Sequence, residues 1–132
     1  MKRMVNIHSK IDNLRVIENV IEEISTDFNL NSELYGNVLI ATLEATNNAI
    51  LHGNKLDEKK LVNIAFDLVD NNLIITVKDE GKGFNYSDIP DPTAPENLEK
   101  DSGRGIFLME KLTDKLSFFD NGSIVELTFN LI

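Results

Sequence analysis

Three short groups of polar residues and glycines have the types and spacing that chemistry requires. Glu44, Asn48 and His52 recur at successive steps of four, which on a helix sets their side chains in one stripe. Ala45, Thr46 and Ala49 beside them are small, so a ligand could approach closely. Asn48 offers a neutral oxygen to Mg²⁺, a cation that takes few protein ligands and keeps waters and phosphate oxygens. Glu44, one turn earlier, could orient or deprotonate a water or a protein hydroxyl. The plainer alternative is a solvated helix edge, with His52 merely facing the carboxyl end of the helix. Asn47 points about 100° away from Asn48 and is left out of the stripe.

Asp79-Glu80-Gly81-Lys82-Gly83-Phe84 follows a strand-like run. A carboxylate at a strand end can accept a hydrogen bond from an exocyclic amine such as that of adenine. Gly81 and Gly83 would let a ligand lie against bare backbone, although an acidic pair before glycine is also a common turn. Ser102-Gly103-Arg104-Gly105-Ile106 stands where a loop enters a helix. Backbone N–H groups there form an anion site, and Arg104 either adds charge or faces solvent. An ordinary glycine-rich helix start is the competing reading. No Walker loop and no dinucleotide fingerprint is present, and no grouping of His, Ser and Asp suggests a hydrolase triad.

The elements that must carry these groups are legible from periodicity. Met4–His8 alternates like a strand. Leu14, Ile17, Val20, Ile21 and Ile24 predict an amphipathic helix over Lys10–Phe28, capped by Ser9. After a polar joint at Asn29–Ser32, a second helix is expected from about Glu33 to Leu51, ended by His52-Gly53-Asn54. Its expected buried face is Val38, Leu39, Thr42, Leu43, Thr46 and Ile50. Leu61–Val69 and Leu73–Lys78 form a hairpin about Asp70-Asn71-Asn72. Asp79–Asp101 is polar and holds three prolines, a long loop of the kind that is usually functional or disordered. A short helix begins at Gly103. Two last strands, Leu116–Phe119 and Ser123–Leu131, meet at Asp120-Asn121-Gly122. Strand, two helices, hairpin, loop, helix and hairpin pack most naturally as a sheet covered on one face by helices, an α+β arrangement.

Composition narrows the function. One domain spanning 1–132 is the expectation for 132 residues. The absence of cysteine excludes a disulfide scaffold, a zinc knuckle and a cysteine nucleophile. No secretory signal or membrane-length apolar run is visible, so a cytoplasmic location follows by default. The formal charge of −9 argues against a broad nucleic-acid surface. Any polyphosphate must therefore be held by local geometry and a metal. An acidic body could attract a basic partner or simply keep the protein soluble.

Taken together, the three groups resemble the GHKL (Bergerat) ATP-binding fold of gyrases, heat-shock chaperones, mismatch-repair ATPases and sensor histidine kinases. Glu44 and Asn48 match its Glu-x-x-x-Asn helix. Asp79, Gly81 and Gly83 match Asp-x-Gly-x-Gly, and Gly103 and Gly105 match the later Gly-x-Gly. Gly122-Ser123-Ile124-Val125 is similar to Gly-Thr-x-Val, with Ser in place of Thr. The resemblance spans nearly the whole chain and implies a two-layer α/β sandwich with a mixed, mostly antiparallel sheet. Within the superfamily, the size and the runs LEATNNAILHGN and SGRGIFLMEKLTD look like the anti-sigma-factor serine kinases. Such proteins regulate transcription by holding a sigma factor inactive. They also phosphorylate a serine on a small antagonist protein, and many are homodimers.

By that resemblance, Asp79 reads the adenine amino group with support from Ser123, and Asn48 holds Mg²⁺ against the phosphates of ATP. Glu44 activates the antagonist's serine. Gly103, Arg104 and Gly105 cradle the phosphates, Gly81, Gly83 and Phe84 belong to the nucleotide site, and Asn85–Ser102 forms a lid. No direct nucleic-acid or membrane partner is implied. Some members carry a basic residue just before the Ser-Gly at the lid's end, where this chain has Asp101, with Lys100 one step off. That departure bears on phosphoryl transfer far more than on nucleotide binding. The alternatives are a non-catalytic nucleotide-binding regulator that sequesters a partner, and an interaction domain that binds no nucleotide.

Overall fold

The computed structural model describes residues 1–81 and 101–131. Strand β1 (Lys2–His8) leads through a 3₁₀ turn (Ile11–Asn13) into α1 (Leu14–Asp27), followed by α2 (Ser32–Asn48) and a π turn (Ala49–Gly53). The hairpin β2 (Leu61–Val69) and β3 (Asn72–Lys78) comes next, then α3 (Asp101–Leu112) and the hairpin β4 (Lys115–Phe119) and β5 (Ile124–Asn130). The strands order as β1-β2-β3-β5-β4, and every ladder is antiparallel, so the expected mixed character is absent from the described sheet.

Strand alternation sets which face is covered. Val62, Ile64 and Phe66 on β2, Leu73, Ile75 and Val77 on β3, and Val125, Leu127 and Phe129 on β5 are all buried. They share one face because side chains alternate along a strand. Against it lie Ile17, Val20, Ile21 and Ile24 of α1, and Val38 and Ala41 of α2. This is the two-layer sandwich expected. Both hairpins turn through left-handed backbone: Asp70 and Asn71 have φ of 50° and 65°, and Asp120, Asn121 and Gly122 of 50°, 58° and 91°. Asp, Asn and Gly tolerate that region, so the turn chemistry matches the residues present.

Ser9 does not cap a helix. It is fully buried, its hydroxyl donates to the Lys60 carbonyl at 2.8 Å and accepts from Asn54 Nδ2 at 2.9 Å. The chain enters α1 through the 3₁₀ turn instead. Asn31 does cap α2, accepting from Leu34 N at 2.8 Å.

On α2, the buried stripe is Val38, Ala41, Thr42, Ala45 and Thr46, with Ala49 and Ile50 continuing it, whereas Leu39 and Leu43 are only half-buried. The displacement has a packing reason. This helix touches α1, α3 and the sheet, and close approach on several sides favours alanine over leucine along its inner ridge. The helical turn past Asn48 is wider than an α turn, with Asn54 N bonded to Ala49 O at 2.8 Å across five residues. His52 is exposed on this π turn.

Candidate nucleotide site

The ends of three elements define the site. Asn48, at the last α-helical position of α2, lines a narrow cleft with Ala45 and Ala49 of the same helix, Val77 and Asp79 at the end of β3, and Met109 of α3. Phe118, Gly122 and Val125 of the final hairpin close it, leaving a cavity of only about 10 Å³. The walls are apolar and one carboxylate lies at the floor. The lining suits a flat apolar ring with a polar edge, and the walls must part to admit one. A wider acidic depression on α1, lined by Asn19, Glu22, Glu23, Thr26 and Asp27, has none of these apolar walls.

Asp79 is held by backbone. Its N–H donates to Ser123 O at 3.0 Å, and its Oδ1 accepts from Gly81 N at 2.8 Å. With 7% exposure, burial pushes its carboxyl above the ordinary range, offset in part by the Gly81 hydrogen bond and by the positive charge of Lys60. Two glycines make this placement possible. A Cβ at Gly53 would overlap the Asp79 carboxylate, and a Cβ at Gly81 would overlap the Gly53 carbonyl. The π turn therefore presents bare backbone to the end of β3.

Glu44 and Asn48 are half-buried on α2. Facing them is Gly105, buried in the first half of α3. A Cβ there would stand 2.9 Å from Glu44 Oε2 and 3.2 Å from Asn48 Nδ2. Asn48 thus joins two regions: it lines the cleft floored by Asp79, and it borders the backbone of α3. Glu44, Asn48, Asp79, Gly81 and Gly105 are brought together, as their order in the sequence implied.

Ser123 is also adjacent, through its carbonyl contact with Asp79, but its hydroxyl donates to Asp120 O at 2.9 Å and tightens the hairpin turn. The backbones of Gly103 and Arg104 fall within α3, which runs from Asp101 rather than from Gly103, so the last two positions of the expected lid are helical. Gly83, Phe84 and the rest of that lid lie outside the described residues. Gly53, Asn54, Met109 and Phe118 were not singled out for the site from sequence. Their types are common in turns and cores, and only the glycine beside His52 carried any local signal.

Among the described residues no group of three or more His, Asp or Glu could hold a metal. The donor present, the Asn48 amide oxygen near the start of α3, suits a Mg²⁺ whose remaining ligands are phosphate oxygens and waters.

The α+β sandwich has counterparts among known protein families. The chain belongs to the histidine kinase-like ATPase domain family, which it matches over residues 7–129. The serine-protein kinase RsbW of Staphylococcus epidermidis is 29% identical over 92 residues, covering 64% of this chain and 58% of the relative. Its namesake from Staphylococcus aureus (strain JH9) is 29% identical over 97 residues, 67% of this chain and 61% of the relative. The chain therefore spans about three fifths of the length of these curated relatives.

Among solved structures, the RsbU and RsbW domains of a Mycobacterium tuberculosis protein superpose with a TM-score of 0.70. They are 18% identical, over 99% of this chain and 32% of that one. The histidine kinase domain of a blue-light-activated kinase from Erythrobacter litoralis gives 0.54 at 20% identity, over 92% of this chain and 60% of that one. These two likenesses concern the fold.

Proposed function

We propose that this chain is an ATP-binding regulatory protein that acts as an anti-sigma factor and phosphorylates a serine of an antagonist protein. The observation that carries the reading is the convergence of Glu44, Asn48 and the Gly105 backbone beside a cleft floored by Asp79. The name serine-protein kinase borne by its relatives supports the same reaction.

In this reading adenine enters the apolar cleft and its exocyclic amine donates to the Asp79 carboxylate. The phosphates then run toward the start of α3, where the first turn of a helix offers backbone N–H groups to an anion. Asn48 would hold Mg²⁺, which supplies charge neutralisation to the phosphates when bound. Glu44 sits beside that region and accepts the proton of the incoming serine hydroxyl. Little further covalent help is required, because positioning and charge neutralisation supply most of the rate in phosphoryl transfer.

The decisive variant is Glu44→Ala. It should retain Mg-ADP binding and lose transfer of labelled γ-phosphate to the antagonist by at least about 10²-fold, the usual size of a general-base contribution. Transfer surviving at wild-type rate would remove Glu44 from the mechanism. A second reading is favoured by Asp101, which stands where some family members carry a basic residue. It is a regulator that binds nucleotide and sequesters its partner without transfer. Bound ATP with no phosphate moved to any candidate antagonist would select it.

A further inference from the structure

The contact that places Asp79 is made by two backbones, Gly53 on the π turn and Asp79-Glu80-Gly81 at the end of β3. Such an approach needs something to hold both sides. Asn54 is bonded into both. It follows Gly53 directly, and its Oδ1 accepts from Glu80 N at 2.8 Å. Its Nδ2 donates to Leu61 O at 3.0 Å and to Ser9 Oγ at 2.9 Å, and the Ser9 hydroxyl passes on to Lys60 O at 2.8 Å.

Asn54 and Ser9 are 1% and 0% exposed, so these bonds are shielded from water. Both donors and the carbonyl of the amide are in use, an arrangement that is rigid when complete and costly when broken. The amide ties together the end of α2, the residue after β1, the start of β2 and the residues after β3. Nothing in its position lets it reach a ligand directly: it lines no wall of the cleft.

We infer that Asn54 is a positioning residue of the nucleotide site, which sets the depth of the Asp79 carboxylate and through it the preference for a base carrying an exocyclic amine at that edge. This rests on the nucleotide reading above. A hydrophobic residue at 54 would leave Glu80 N, Leu61 O and Ser9 Oγ without their partner, and the strand end would draw away from Gly53. The Asp79 carboxylate would then gain water and lose its fixed height.

The test uses the whole chain as Asn54→Ala and Ser9→Ala, with Ile24→Val as a core control remote from the cleft. Two readouts are taken on each folded variant: the titration of Asp79 by carboxyl NMR without ligand, and the affinities for Mg-ADP and Mg-GDP by calorimetry. In Asn54→Ala the Asp79 titration should move down toward the ordinary carboxylate range. Mg-ADP affinity should fall about tenfold, the size commonly seen when a supporting partner of a ligand-binding group is removed. The preference for ADP over GDP should narrow. Ser9→Ala should show the same changes more weakly, and it decides the matter if Asn54→Ala fails to fold. Ile24→Val should lower the melting temperature and leave both readouts alone.

An unchanged Asp79 titration in the folded variants overturns the positioning role, whatever the nucleotide does. Wild-type protein that binds neither nucleotide, with an Asp79 titration that still responds to Asn54, overturns the nucleotide reading and the base preference while leaving the mechanical link to Asp79 standing.

Discussion

Gly105 of α3 lies against Glu44 of α2, so closely that a methyl group at position 105 would stand 2.9 Å from the Glu44 Oε2. The neighbour that must yield is the end of a flexible side chain, which makes the substitution mild for the fold. It is severe for a carboxylate whose position matters. Gly105→Ala should keep or slightly raise stability, since alanine in a helix gains roughly 0.5–1 kcal/mol over glycine. Phosphoryl transfer should fall on the order of 10²-fold, the effect of a misplacement of about an ångström. Parallel melting curves and transfer assays check this, and equal losses in both would point to simple unfolding.

Asn48 lines the cleft and borders Gly105, and it is the proposed ligand of the metal that accompanies the nucleotide. With Mg-ADP at about 100 times its dissociation constant, binding should stabilise wild-type protein by about 2.7 kcal/mol. For a chain of this size that is a rise of roughly 10 °C in melting temperature. In Asn48→Ala the rise should shrink to a small remnant at the same ligand concentration. A full shift in the variant would take Asn48 out of the site.

Asp79 carries a cost in the free protein. Its carboxyl is held above the ordinary carboxylate range, chiefly because burial disfavours the charged form. The folded state therefore keeps this proton at pH values where the unfolded chain has lost it. Its contribution to stability is present below the unfolded pKa and is lost as pH rises through the folded one. Asp79→Asn removes the ionisation and retains an oxygen for Gly81 N. Without nucleotide, the variant should melt higher than wild type at about pH 7, and the difference should close on acidification toward the ordinary carboxylate pKa. Mg-ADP affinity should fall at the same time. A variant that melts lower at neutral pH would mean that the attraction of Lys60 outweighs burial.

Thr42 offers a stability test away from ligand chemistry. It is fully buried on α2, and among the described residues its Oγ1 has no hydrogen-bond partner. An unsatisfied buried hydroxyl costs about 1–3 kcal/mol. Valine fills nearly the same space without the polar atom. Thr42→Val should raise the unfolding free energy by about 1 kcal/mol in urea titrations with an unchanged slope. A loss of stability would place an unseen partner on that oxygen.

Much of the molecule is legible in the residue string itself. Period-two alternation located β2 and β3 because one face of each is buried, and Asp-Asn and Asp-Asn-Gly located the turns because those residues accept left-handed backbone. Glu44 and Asn48 declared a shared helix face by spacing, and Asp79-x-Gly declared a strand end with accessible backbone. These are local relations, and local relations survive in a one-dimensional string.

What only tertiary structure decided concerns groups distant in the chain. Ser9 looked like a helix cap and is a buried link to Asn54, 45 positions away. Leu39 and Leu43 looked like core and only border it, half-buried, because three neighbours crowd α2 and its inner ridge goes to smaller residues such as Ala41 and Ala45. The π turn that brings Gly53 onto Asp79 has no signature in residue types, and the meeting of Gly105 with Glu44 depends on how α3 docks on α2. Composition and spacing named the participants. Packing alone, by forcing two glycine backbones and a carboxylate into contact, determined where the participants meet.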